Sequence, residues 1–124
     1  MARIMVAEDS SGTRMLIRDW MEIKHHEIVS EVETGVDAIN EFNSIKPDVL
    51  LLDIAMPKKD GLSVLKEIKS AHPDAKIIVM TANEDQNIIA KCAEHGSLAY
   101  LIKPFDEEQL LTAIAMALDE NPNA

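Results

Sequence analysis

Five chemically capable side chains follow directly on short apolar runs: Glu8 and Asp9 after RIMVA, Asp53 after VLLL, Thr81 after KIIVM, and Lys103 after LAYLI. Asp53 poses the sharpest question. A run as apolar as residues 49–52 is normally buried, and no basic residue stands beside the carboxylate to neutralise it. Three carboxylates gathered within a few ångströms repel one another, and ionise together only around a cation. Mg2+ suits such a cluster, because it is hard, prefers oxygen ligands, keeps several waters and takes one or two carboxylates plus a phosphate; Mn2+ is the alternative ion. A lysine and a hydroxyl aimed at the same point add positive charge and a hydrogen-bond donor for phosphoryl oxygens. Phosphoryl transfer needs mainly positioning and charge neutralisation, and an aspartate can serve as its nucleophile, giving an acyl phosphate. Asp53 is the candidate nucleophile.

That chemistry requires a scaffold that brings the five positions to one place. Strand-like runs alternate with amphipathic helical patterns along the whole chain. Strands are expected at Arg3–Ala7, 27–31, 48–52, 76–80 and 98–102. Helices are expected at Ser11–Ile23, with Leu16, Trp20 and Ile23 on its inward stripe; at Gly35–Ile45, with Val36, Ile39 and Phe42 inward and an end forced by Pro47; and at 63–71, Gln86–Glu94 and 106–118. Alternation of this kind implies parallel strands, right-handed crossovers and helices on both faces, which explains why the strands are continuously apolar. The expected fold is therefore α/β: a doubly wound (βα)5 three-layer sandwich. Ligands of such sheets bind at the carboxyl ends of the strands, where all five chemical residues stand. Residues 1–118 read as one domain and 119–124, DENPNA, as a polar tail.

Composition narrows the function. The 124 residues suffice for one domain and are too few for two ordinary ones. A net charge of −10 opposes direct binding to nucleic acid or an anionic membrane surface. No stretch approaches the roughly 20 apolar residues that span a bilayer. The N-terminal apolar run is too short for a signal peptide, so a cytoplasmic location is expected. An aromatic content of 3% leaves little for stacking on bases or a flavin. His25, His26, His72 and His95 are scattered without zinc spacing, and Cys92, alone in a helical pattern, reads as a small core residue.

The residues resemble the response-regulator receiver domains, and are similar in length and layout to the single-domain chemotaxis response regulators. The likeness rests on four blocks: the pair Glu8-Asp9, D-x-x-M-P-x-x-D-G from Asp53 to Gly61, Thr81-Ala82, and Y-L-I-K-P-F from Tyr100 to Phe105. It implies the flavodoxin-like strand order 2-1-3-4-5. It also implies that Asp53 accepts a phosphoryl group from a phosphohistidine on a sensor histidine kinase or phosphotransfer protein. Mg2+ would be held by Glu8, Asp9, Asp53 and the backbone carbonyl of Ala55. Lys103 and Thr81 would contact the phosphoryl group. Tyr100 would swing inward with Thr81, remodelling the surface of the fourth helix, fifth strand and fifth helix for a downstream partner. Lys103-Pro104 is commonly cis in the family, and an X-Pro bond permits it. Glu8 replaces a commoner Asp and implies contact with the metal through water. Ala55 and Asn83 fall where relatives tune phosphoryl lifetime.

Other readings are weaker. An aspartate-nucleophile phosphatase wants D-x-D, and the second acid is replaced by Ala55. A flavodoxin-like FMN carrier could use Ser10–Thr13 as a phosphate cradle, but Glu8 and Asp9 beside it repel phosphate. Within the receiver reading, the protein is a stand-alone chemotaxis or phosphorelay regulator, or a receiver cut from a longer regulator with a DNA-binding or enzymatic output domain.

Overall fold

The computed structural model describes residues 2–56, 59–82 and 84–118. The tail expected at 119–124, together with Pro57 and Asn83, lies outside them. Ten elements alternate: β1 (Arg3–Ala7), α1 (Ser11–Ile23), β2 (Glu27–Val32), α2 (Gly35–Ile45), β3 (Val49–Asp53), α3 (Gly61–Ala71), β4 (Ile77–Thr81), α4 (Gln86–Glu94), β5 (Ala99–Ile102) and α5 (Glu107–Ala117). The strands form one parallel sheet in the order β2-β1-β3-β4-β5, as the resemblance implies.

Successive strand residues face opposite sides, and both sides are dry. Ile4, Val6, Val49, Leu51, Ile78 and Met80 join Ile17, Met21, Leu110 and Ile114 in a core under α1 and α5. Met5, Ala7, Leu50, Leu52, Ile77 and Val79 pack with Phe42, Leu65, Ile68 and Cys92 under α2, α3 and α4. Cys92 is thus the core residue expected. Leu50, Leu51 and Leu52 are wholly buried, each contributing roughly 2 kcal/mol of apolar transfer. Ser10, Thr34, Asp60, Asp85 and Asp106 cap the five helices, each side chain accepting a backbone N–H of the first turn. Because helices return antiparallel to the strands, these capped N-termini gather at the carboxyl edge of the sheet, where their partial positive charge favours an anion.

Two helix faces differ from expectation. In α1, Ile17 and Met21 are buried, whereas Leu16 and Ile23 are 52% and 62% exposed and Trp20 is half-buried. The helix carries two overlapping stripes of suitable spacing, and the sheet took the one a single position along. In α2, Gly35, Ala38 and Phe42 face inward while Val36 is exposed and Ile39 half-buried. Here closeness decides: a Cβ on Gly35 would lie 2.4 Å from the Lys59 carbonyl oxygen, so the helix seats on its smallest residues. Strand ends shift as well. Asp53 and Thr81 are the last paired residues of β3 and β4 rather than the first loop residues, since the ladder continues through Asp53↔Met80 and Thr81↔Ile102.

Candidate functional site

Strand parity sorts the chemical residues before any side chain is placed. Counting by twos, Glu8 continues the face of Ile4 and Val6, Asp53 that of Val49 and Leu51, and Lys103 that of Leu101. All three belong to the α1/α5 side. Thr81 and Tyr100 have the opposite parity and belong to the α4 side. The geometry follows this division. The Lys103 ammonium donates to Glu8 Oε1 and, at 3.2 Å, to Asp53 Oδ2. Tyr100 and Thr81 share a side-chain hydrogen bond, with Tyr100 packed against the core under α2, α3 and α4.

Among the described residues the buried polar or charged side chains are Glu8, Asp53 and Thr81, at 0%, 3% and 2% exposure. Solvated turn charges would not be buried. Glu8 is held by every polar handle it has. Its N–H donates to the Val32 carbonyl at 2.9 Å and its own carbonyl accepts from Arg14 Nη1 at 2.8 Å. Oε2 accepts from the Ser10 N–H at 3.0 Å, and Oε1 takes the Lys103 ammonium. Asp53 is held similarly, with Oδ1 accepting from the Ala55 N–H at 2.9 Å. Gly61 N–H closes the intervening loop onto the Ile54 carbonyl at 2.9 Å. Beyond β5, the Lys103-Pro104 bond is cis, as expected, and the Lys103 N–H donates to the Thr81 carbonyl at 2.7 Å.

Glu8, Asp9 and Asp53 each offer an oxygen within 4.8 Å of the others, Asp9 being the exposed member. With all three carboxylates ionised, one ammonium leaves two negative charges at the site, the charge that one divalent cation neutralises. Burial pushes the Glu8 carboxyl up to about 7; the Lys103 and Ser10 contacts pull it down, and the Asp53 charge adds to the rise. Burial works against the Lys103 ammonium, yet Glu8 and Asp53 outweigh it and hold its pKa above the ordinary lysine value. Burial also raises the Tyr100 phenol, assisted by Cys92 and opposed by the Thr81 hydrogen bond. An all-oxygen cluster short of positive charge fits Mg2+ or Mn2+ better than a soft metal.

The structure therefore brings together Glu8, Asp9, Asp53 and Lys103, keeps Ala55 against Asp53 through its N–H, and places Thr81 beside Tyr100. Arg14 was missed by the sequence reading. Its signal was a basic residue early in α1 opposite two acids, Glu31 and Glu33, at the end of β2. Also unanticipated is a cavity of about 350 Å3 beside Lys103, lined by Trp20, Phe105 and Leu16 among others. The Trp20 and Phe105 rings in its lining pack against each other, their centroids 6.3 Å apart.

A doubly wound sheet with this acidic cluster at its carboxyl edge defines a class, and comparison with known proteins agrees. The response regulator receiver domain profile matches residues 4–115. The chemotaxis protein CheY of Bacillus subtilis is 33% identical over 117 residues, covering 94% of this chain and 98% of the relative. The transcriptional regulatory protein PdtaR of Mycobacterium tuberculosis is 34% identical over 116 residues, covering 94% of this chain but 56% of the longer relative. Among solved structures, the response regulator domain of Thermotoga maritima CheB superposes with a TM-score of 0.86 at 26% identity, covering 97% of this chain and 98% of that one. The chain belongs to the response-regulator receiver domains of two-component signalling. Its relatives include stand-alone chemotaxis regulators and longer regulators alike, and the family is one of signalling proteins. No helix among the described residues is long and apolar enough to cross a membrane.

Proposed function

We propose that Asp53 is the phosphoacceptor of a receiver unit spanning residues 1–118. Asp53 Oδ attacks the phosphorus of a phosphohistidine on a sensor kinase or phosphotransfer protein. The nitrogen–phosphorus bond breaks as the oxygen–phosphorus bond forms, and the imidazole leaves. Glu8, Asp9, Asp53 and the Ala55 carbonyl are the residues that would hold Mg2+, which when bound neutralises the phosphoryl oxygens. Lys103 stands between Glu8 and Asp53, so its ammonium passes from carboxylate to phosphoryl group without leaving its place. Thr81 then exchanges its Tyr100 hydrogen bond for one to a phosphoryl oxygen. That exchange couples Asp53 to Tyr100, and through it to the face of α4, β5 and α5, where a downstream protein docks. Ala55 supplies no general acid, so repeated turnover of small phosphate esters is not its task. The protein works in the cytoplasm as a chemotaxis-type or relay regulator, supported by the full-length match to CheY; a receiver attached to an output domain, as in the longer relative, is the second reading.

The observation that carries the proposal is a buried aspartate with both oxygens engaged, one by a backbone N–H and one by a shared ammonium. Intact-mass spectrometry after acetyl phosphate and Mg2+ tests it. One phosphoryl group is expected on the wild type, and none without Mg2+ or in Asp53→Asn. Equal labelling of Asp53→Asn sinks the assignment.

A further inference from the structure

We infer that Arg14 is a positioning residue for the metal-binding acids, an inference that rests on the cation site proposed above. Arg14 lies in the second turn of α1, and its side chain is 14% exposed. It faces inward along the seam between β1 and β2. Its guanidinium makes three contacts. Nη1 donates to the Glu8 carbonyl at 2.8 Å, Nη2 pairs with Glu33 Oε1 at 2.9 Å, and Nε lies 3.4 Å from Glu31 Oε1. Glu31 is itself gripped by Arg18, whose Nε and Nη2 donate to its two oxygens at 2.9 and 2.8 Å.

The contact with Glu8 is the unusual one. Within the sheet, a β1 carbonyl finds its partner on a neighbouring strand. At Glu8 the chain turns from β1 toward α1, and an arginine side chain takes the place of the strand. Glu8 and Asp9 leave β1 together, so the Glu8 carbonyl fixes the peptide plane from which Asp9 springs. Asp9 is the exposed acid of the cluster, and it is joined directly to this peptide. Only a planar fork can reach that carbonyl and both acids of β2 at once; a lysine reaches one of them. Partners that orient ligands without touching the ion typically change metal affinity by about 10- to 100-fold when removed.

The test measures Mg2+ affinity by calorimetry, alongside urea unfolding in EDTA, for wild type, Arg14→Ala, Arg14→Lys and Glu33→Gln. Arg14→Ala is expected to weaken Mg2+ by about tenfold, and Arg14→Lys to weaken it in the same direction while keeping the charge and the fold. Glu33→Gln, which spares the carbonyl contact, is expected to change affinity less than about twofold, since its partner is a surface pair. Wild-type affinity in a folded Arg14→Lys overturns the inference, as does a loss in Glu33→Gln equal to that in the arginine variants. A wild type that binds no Mg2+ defeats the cation site itself, a result distinct from either.

Discussion

Glu8 offers a direct way to weigh the electrostatics of the site. Its carboxyl is fully buried and raised from 4.5 to about 7, burial being the largest cause. Mg2+ at the proposed site would need the ionised form, whether Glu8 touched the ion or reached it through water. With a pKa of about 7, Glu8 is roughly 90% ionised at pH 8 and roughly 10% ionised at pH 6. The apparent Mg2+ dissociation constant should therefore rise about tenfold between those two pH values, equivalent to about 1.4 kcal/mol. Near pH 7, binding should release about half a proton, measurable by titration calorimetry in buffers of different ionisation enthalpy. The metal-free protein obeys the opposite sign. A carboxyl raised on folding contributes stability that is fully present below 4.5 and is lost as pH climbs to about 7, a loss of about 3 kcal/mol. Glu8→Gln is the control: its Mg2+ affinity should be lower at pH 8 and flat down to pH 6. If the wild type shows no pH dependence, or if the tenfold slope survives in Glu8→Gln, the burial argument fails.

Two further outcomes concern the scaffold. Gly61→Ala should destabilise the protein by about 3 kcal/mol in urea unfolding, because the new Cβ would fall 2.1 Å from the Ile54 Cα and must displace the loop that carries Ala55. Met21→Ala should cost about 3 kcal/mol while Leu16→Ala stays within about 0.5 kcal/mol, since Met21 is wholly buried and Leu16 is 52% exposed. A larger cost for Leu16→Ala than for Met21→Ala would mean that α1 sits on the other of its two stripes.

Much of the molecule could be read from the sequence because period and punctuation are local properties. β1, α1, α2 and α4 run as expected, and the apolar character of Val49–Leu52 followed from a strand covered on both faces. The placement of Glu8, Asp9, Asp53, Thr81 and Lys103 was legible because each ends or directly follows a strand, and a parallel sheet sends every strand end to the same edge. What the sequence could not decide was which of two equally spaced stripes α1 would bury, since that depends on how Ile17 and Met21 meet Ile4 and Val6 across the core. Nor could it decide that Lys103 would be shared between Glu8 and Asp53, or that Arg14 would reach the Glu8 carbonyl. These contacts join residues that are distant in sequence or on different elements, and their geometry is set by packing rather than by pattern. The residue types and order alone determined an edge that gathers Glu8, Asp9, Asp53 and Lys103. Only the tertiary structure decided how its charges are apportioned, because burial and a single shared ammonium, neither visible along the chain, set the balance between them.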